Sequence, residues 1–312
     1  MMERRRLGTS ALEVSAVGLG GNNFGGRLDL AATRRVVHAA LDAGITLIDT
    51  ADLYNEGASE ECLGRVLGAR RKEVVLATKF GLSLDAVGRR TGASRHAIVA
   101  ALEASLKRLA TDWIDLYQLH RPDPATPVEE TLRALDDLVR AGKVRFIGCS
   151  SLSARELTAA QDTARRHGLA AFICCQDQYS LLARDIERDL IPAMETQGLS
   201  LLPYFPLASG LLTGKYRRDA MPARARLTYS ARHADRFISE RNWRIVEALD
   251  AFCARRGRKL IELAFAWLLA RPMVGSVIAG ASTPEQVDDN VRAAGWTLSV
   301  KELAEVDRIT RP

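Results

Sequence analysis

Four residues in this chain, Asp49, Tyr54, Lys79 and His120, together have the makings of carbonyl chemistry. Reducing a carbonyl takes a hydride donor and a proton for the alkoxide that develops. A tyrosine donates such a proton, but its ordinary pKa of about 10 is high for work near neutrality. A lysine beside it favours the phenolate. One cation at ~4 Å in an effective dielectric near ~20 contributes on the order of 4 kcal/mol, so Lys79 is expected to lower the Tyr54 pKa. Asp49 would keep Lys79 charged and in place, taking back part of that shift. His120 can hydrogen-bond the carbonyl oxygen and stabilise its charge as it grows. No HExxH or similar spacing occurs, so no metal is expected. Taken singly, each residue has a plainer reading: a turn aspartate, a solvated lysine, a packing tyrosine, a hydrogen-bonded histidine. The chemistry depends on the four meeting.

They meet only if the chain brings several strand ends together. Strand-like and helix-like segments alternate from residue 14 nearly to the end. Strands are expected at 14–19, 45–49, 74–79, 113–119, 144–148, 172–176, 200–204 and 276–278, from short apolar runs between turn residues. Helices are expected at 31–43, 59–67, from Ser94 to about residue 109, at 129–140, 153–166, 185–196 (with Pro192 kinking it or marking a late start), 239–255, 260–269, 284–294 and 300–309. Residues 205–236 lack a clear period and form a long loop, which is usually functional or mobile. Eight strand–helix units without a break in composition imply one α/β domain over residues 1–312. Its expected fold is a (β/α)8 TIM barrel with an N-terminal β-hairpin cap (3–7 and 12–15) and extra C-terminal helices. A doubly wound open sheet is the alternative, but Gly18-Leu19-Gly20-Gly21-Asn22-Asn23 fits the GxGxxG fingerprint poorly. In a barrel, active sites lie where strands end. Asp49 ends the second strand, Tyr54 follows in its loop, Lys79 ends the third and His120 follows the fourth.

Bulk properties narrow the class further. The 312 residues carry 44 Lys and Arg against 38 Asp and Glu, a net charge of +6. The excess is modest and interspersed. The runs Arg4-Arg5-Arg6 and Arg255-Arg256 with Arg258 and Lys259 are read as solvated faces rather than a nucleic-acid footprint, since no basic stripe with aromatics accompanies them. Five cysteines, an odd number without zinc-type spacing, argue for a reducing compartment. No apolar stretch follows the charged N-terminus, and the longest apolar run, 263–270, is far too short to span a bilayer. A cytoplasmic location and no membrane partner are therefore expected.

The segments Ile48-Asp49-Thr50-Ala51-Asp52-Leu53-Tyr54-Asn55-Glu56-Gly57, Thr78-Lys79, Leu119-His120-Arg121-Pro122 and 142–148 resemble those of the aldo-keto reductase family. So do 176–182, 204–211 and Gly280-Ala281-Ser282, in order along almost the whole chain. The resemblance implies a barrel that binds an extended nicotinamide cofactor, NADPH/NADP+ with NADH possible, without a Rossmann domain. By it, Asp49, Tyr54, Lys79 and His120 form a catalytic tetrad. Ser150, Ser151 and Gln176 would hold the carboxamide, and Tyr204 would stack on the nicotinamide. Residues 206–210, including Pro206, Leu207, Ser209 and Gly210, would line the pyrophosphate. Gly280, Ser282, Gln286, Asp289 and Asn290 would surround the adenosine end, and Gly21 and Asn22 would border the ribose near Asp49.

Two departures stand out. Many members of the family have Asn where Ser151 stands, and many carry Lys near Gly280 and Arg near Gln286 for the 2′-phosphate. Other branches with this uncharged pattern still use NADPH, and Lys215, Arg224 or Arg226 of the long loop could supply the charge. Asn23 and Phe24, with Tyr54 and His120, are expected to wall a pocket for a small-molecule carbonyl substrate. The chain is expected to be a monomer or homo-oligomer. Two rivals remain. Similar proteins serve as regulatory potassium-channel subunits, and a strand lysine could be a Schiff-base nucleophile.

Overall fold

The computed structural model describes residues 2–82, 92–223 and 225–311. A small antiparallel hairpin, β1 (Arg4–Arg6) with β2 (Glu13–Ser15), opens it. The barrel then begins with β3 (Val17–Gly20). Residues 14–19 therefore do not form one strand. The Ser15 hydroxyl donates to the Val17 carbonyl at 2.6 Å and accepts from the Thr46 backbone at 2.9 Å. That local pairing turns the chain from hairpin into barrel.

From there strand and helix alternate. The order is α1 (Leu30–Asp42), β4 (Leu47–Asp49), α2 (Ala58–Leu67), β5 (Val75–Phe80), α3 (Arg95–Leu109), β6 (Ile114–Leu119), α4 (Val128–Arg140), β7 (Val144–Ser150), α5 (Ala154–His167), β8 (Phe172–Gln178), α6 (Leu190–Gln197) and β9 (Ser200–Tyr204). Then come α7 (Arg226–Tyr229), α8 (Ala231–Phe237), α9 (Glu240–Ala254), α10 (Leu260–Leu269), β10 (Val277–Gly280), α11 (Pro284–Ala293) and α12 (Val300–Thr310). The eight parallel strands run in the order β10-β3-β4-β5-β6-β7-β8-β9. Leu201 of β9 joins the two ends of this order, donating to the Met273 carbonyl and accepting from the Gly275 amide. The result is the expected (β/α)8 barrel.

Local chemistry sets the helix limits. Asp29, Ser94, Ser153, Ser239, Thr283 and Ser299 each cap a helix N-terminus with a side-chain oxygen. Pro192 sits in the first turn of α6, after a 3-10 turn at Asp185–Glu187, so the late start holds. The 205–236 stretch is not structureless: a 3-10 segment (Ala208–Thr213) precedes α7 and α8. The basic runs are structural. Arg5 donates to the Val274 and Leu269 carbonyls, and Arg255, Arg256 and Arg258 pair with Glu305, Glu302 and Glu262. Among the described residues no helix is long and apolar enough to cross a membrane, and no His/Cys/Asp/Glu group could hold a metal.

Two apolar regions result. One lies between strands and helices. The other fills the barrel, where Leu47, Ala77, Leu116, Cys174, Leu202 and Ile278 meet Leu7 and Val14 of the hairpin. Side chains alternate along a strand, so the residue two positions on faces the same interior. Those residues are Asp49, Lys79, Gln118, Gln176, Tyr204 and Gly280. The barrel interior thus changes from apolar to polar within one residue layer, at the C-terminal ends of the strands.

One buried carboxylate braces this end. Glu60 of α2 is fully buried; it accepts from Thr78, the neighbour of Lys79, at 2.5 Å and from Arg108 of α3 at 2.7 Å. Arg108→Met leaves Glu60 without its cation. The expected loss is about 3–5 kcal/mol of unfolding free energy in urea titration. A loss below about 1 kcal/mol, the worth of a surface pair, would refute this bracing role.

Candidate active site

Lys79 is fully buried, and its ammonium donates to Asp49 Oδ2 at 2.6 Å and to the Thr50 carbonyl at 2.8 Å. Asp49 Oδ1 accepts two amide bonds, from Gln118 at 3.1 Å and from Gln176 at 2.9 Å. The ammonium lies 5.1 Å from the Tyr54 ring centroid. The His120 ring meets the Tyr54 ring edge-on at 6.1 Å. The structure therefore brings all four sequence-predicted residues into one cluster. Gln118 escaped the sequence reading, although two signals pointed to it. It lies two residues before His120 on the same strand face, and it pairs in register with Lys79.

Burial opposes the Lys79 charge, but Asp49 and Tyr54 outweigh it, and the pKa rises above its ordinary value. Tyr54 departs from expectation: its pKa is raised, not lowered. Burial is the largest effect. Lys79 does lower it, by charge and by hydrogen bonding, but Asp49 acts in the opposite direction. A lysine already neutralised by a carboxylate is a weaker tuner than a lone cation. His120 is pushed down to about 3 by burial, then by Lys79 and Arg121. Its imidazole is neutral at working pH. Its Nδ1 is buried without a hydrogen-bond partner among the described residues. The proton is therefore assigned to Nε2, which can donate to an oxygen in the cavity.

The loops around this cluster are tightly held. Gly21 donates to the Asp49 carbonyl at 2.7 Å, and Ser59 links the Gly21 carbonyl to Thr50. Tyr54 begins a 3-10 turn in which Asn55 and Glu56 take left-handed backbone angles, φ 51° and 57°. The Asn55 amide then ties down the Asn22 and Phe24 carbonyls at 3.2 and 2.7 Å.

A cavity of about 820 Å³ opens over Tyr54 and His120. Of the residues the resemblance assigned to a cofactor, Gly21, Asn22, Asp49, Ser150, Ser151 and Gln176 line it near the cluster, then Tyr204, Pro206, Leu207, Ser209 and Gly210 along one wall, while Ala208 of the 206–210 run is buried and does not. Gly280, Ser282, Gln286, Asp289 and Asn290 line the far end, with Lys215 and Arg226 facing them from the loop. Arg224 lies outside the described residues. Two substrate-wall expectations need correction. Phe24 is fully buried in the core and does not line the cavity; Leu82 does. Asn23 lines it, but its amide is within 3.4 Å of both Ala281 O and Ser282 Oγ, and its oxygen accepts from Arg226 at 2.8 Å. That places it at the far end, as a latch between β10 and the loop. The lining residues Arg121, Phe205, Arg232, His233 and Arg236 were not foreseen.

The residues present suit an extended, phosphate-bearing dinucleotide. Ser209 Oγ is buried with no partner among the described residues, and Ser209 and Gly210 have left-handed backbones, φ 57° and 98°. The Lys215 ammonium would stand 3.3 Å from a Cβ at Gly210. Arg226 and Arg27, after burial, push the Lys215 pKa down, as crowded cations do. An anion there would relieve the repulsion. Ser151, too, is left-handed at φ 58°, a conformation that suits Asn better. That explains in physical terms why Asn is common at this place.

The comparisons with known proteins agree. The Aldo/keto reductase family model matches residues 16–311. A probable voltage-gated potassium channel subunit beta of Oryza sativa is 38% identical, over 94% of this chain and 91% of that protein. The L-glyceraldehyde 3-phosphate reductase of Escherichia coli K12 is 34% identical, over 98% and 92%. The versiconal hemiacetal acetate reductase of Aspergillus parasiticus is 33% identical, over 97% and 95%. This chain belongs to the aldo/keto reductase family, and its class is that of carbonyl oxidoreductases.

The His120 environment has a measurable consequence. The unfolded imidazole takes up a proton below about 6.5, while the folded one resists until about 3. The unfolded state therefore binds more protons in that window, and stability falls as pH drops from 6.5 towards 3. His120→Asn removes this loss. The difference in Tm between variant and parent should move in the variant's favour between pH 7 and pH 4 in thermal melts. A pH-independent difference would mean the imidazole is not held neutral by burial.

Proposed function

We propose that the protein reduces the carbonyl group of small aldehydes or ketones to alcohols, using NADPH in preference to NADH, with Tyr54 as proton donor. The observation that carries this reading is half-buried Tyr54 over the buried Lys79–Asp49 pair, beside a neutral His120, at the floor of a cavity of about 820 Å³. The cofactor, when bound, supplies a hydride to the carbonyl carbon.

The chain's own residues do the rest. Tyr54 retains its proton through neutral pH, as a phenol with an ordinary pKa of about 10 does, and burial raises that pKa further. It gives that proton up only to a stronger base, the alkoxide formed as the carbonyl is reduced. The resulting phenolate faces the Lys79 ammonium, which favours phenolate over phenol, so the stabilisation grows along the reaction. His120 donates from Nε2 to the carbonyl oxygen and orients it. Gln118 and Gln176 hold Asp49 so that its other oxygen meets Lys79. Tyr54 is then reprotonated from solvent, and one carbonyl, one hydride and one proton have made one alcohol. Ser150, Ser151 and Tyr204 suit the nicotinamide end. Ser209, Gly210, Lys215 and Arg226 suit the phosphates.

Some relatives favour a second reading: three at 36–38% identity are named as potassium channel beta subunits. A protein of that kind would bind cofactor and turn over little. Both readings are tested by following NADPH and NADH oxidation with a panel of small aldehydes. Parent turnover is expected, and Tyr54→Phe should lower kcat by about 10²-fold or more while cofactor binding persists. Binding of cofactor without reduction of any aldehyde would favour the regulatory reading. Binding of neither cofactor would defeat both.

Cofactor choice is tested separately. Lys215→Met combined with Arg226→Met should raise KM for NADPH at least about tenfold, with a much smaller change for NADH. Equal changes for the two would mean that these cations do not read the 2′-phosphate.

A further inference from the structure

Arg27, Arg121, Lys215, Arg226, Arg232, Arg236 and Lys259 line the cavity. Arg27, Lys215 and Arg226 crowd one another at the Ser209–Gly210 end, which suits the cofactor's phosphates. Arg121 and Arg236 stand at the other end, and Arg232 lies between, acting on His233 together with Arg226 and Arg236. Arg121 directly follows His120, so their Cα atoms are about 3.8 Å apart. It lies close enough to lower the His120 pKa. Arg236 donates to the Gln178 side chain at the end of β8 and lies 5.2 Å from the Phe205 ring centroid. Phe205 in turn meets the Tyr204 ring at 5.5 Å. Both arginines therefore stand around the place where the reacting carbonyl would sit, not along the dinucleotide.

Their partners make the point sharper. Elsewhere on the surface, arginines meet carboxylates: Arg218, Arg255 and Arg256 each pair with glutamates. Among the described residues, Arg121, Arg232 and Arg236 form no ion pair. The carboxylate nearest in charge effect is Asp177, which accepts from the Gln178 amide at 2.7 Å. Burial raises its pKa, against lowering by the Gln178 backbone N–H and by Arg121, and it forms no ion pair with either arginine among the described residues. Three cations without a carboxylate partner at a substrate entrance favour an anion.

We propose that Arg121 and Arg236, supported by Arg232, bind an anionic group of the carbonyl substrate, a phosphate or a carboxylate a few bonds from the reacting carbon. The inference rests on the carbonyl-reduction reading above and narrows its substrate class. Guanidinium forks suit either anion because they offer paired donors. The site is open to solvent, so its contribution is screened by salt.

The test compares matched substrates with saturating NADPH: butanal against succinate semialdehyde, and glycolaldehyde against glycolaldehyde phosphate. In the parent, kcat/KM should favour the anionic member of at least one pair by about tenfold or more, with the advantage shrinking in about 0.5 M KCl. In Arg121→Gln combined with Arg236→Gln, that ratio should collapse towards one. The pair showing the preference identifies phosphate or carboxylate. A parent ratio near one in both pairs, or a ratio unchanged in the variant, overturns the proposal while leaving carbonyl reduction standing. If none of the four is reduced, the carbonyl reading itself fails. The anion site is then decided by calorimetric titration with glycerol 3-phosphate, glycerol serving as control, in the presence of NADP+. Binding that weakens about tenfold in the variant supports the site; equal or absent binding overturns it.

Discussion

The buried ion pair between Lys79 and Asp49 is the constraint to which the rest of this site answers. Two charges taken out of water cost several kcal/mol each unless every remaining donor and acceptor is met. Here four strands of the barrel and one turn meet them. β5 supplies the lysine, β4 the aspartate, β6 and β8 the two glutamine amides, and the turn after β4 a backbone carbonyl. No two-stranded arrangement could do this. The donors must converge from non-adjacent strands, as the interior of a closed sheet allows. Below the polar layer, Leu47, Ala77, Leu116, Cys174 and Leu202 exclude water and leave the pair in a medium where its field is felt strongly.

The same rigidity lets the mouth carry backbone strain. Among the described residues, seven non-glycine residues have positive φ, and six of them, Asn55, Glu56, Ser151, Phe205, Ala208 and Ser209, lie in loops at the barrel mouth. The seventh, Ala110, ends a helix, where the left-handed turn is ordinary. Such conformations cost of order 1 kcal/mol or more each and persist where surrounding contacts over-determine them. The Asn55 amide bonding two carbonyls of the 21–26 loop, and Ser59 bonding Gly21, are contacts of that kind. Strain is thus concentrated in the loops at the mouth of the cavity, and the helices outside remain regular.

What could be read from the sequence follows from what is periodic in it. The eight strands and their helices are short apolar runs and 3.6-residue stripes closed by Ser, Asp and Gly, and most survive translation into structure with shifts of a residue or two, the exceptions being 14–19, which divides between hairpin and barrel, and 185–196, whose helix starts at Leu190. Asp49, Lys79 and His120 were legible because they terminate such runs. Gln118 was equally placed but chemically quiet, since an amide inside a strand suggests no reaction on its own. Phe24 misled because its loop reaches the mouth while its ring turns into the core. Arg121 and Arg236 could not be weighed, because an unpaired arginine and a paired one look alike until their neighbours are known. Within 205–236, α7 and α8 are four and seven residues long, too short for a periodicity signal.

Tyr54 shows why pairwise reasoning from sequence named residues that cluster but gave the wrong sign of the shift. A lone lysine next to a phenol would make it a better acid, and the sequence suggested that. But Lys79 is bound to Asp49, and the couple presents a dipole rather than a bare charge. What remains is desolvation, which keeps the proton on Tyr54 while the carbonyl is intact. That is the useful state for reduction. An alkoxide is a far stronger base than a phenolate even with the phenol pKa raised, so transfer to it stays downhill. The phenolate then left behind finds the ammonium already oriented, with no reorganisation to make. In the proposed reduction, burial first and then Asp49 act to hold the proton on Tyr54, while the Lys79 ammonium acts to stabilise the phenolate. The same ion pair thus acts on both protonation states, in opposite directions.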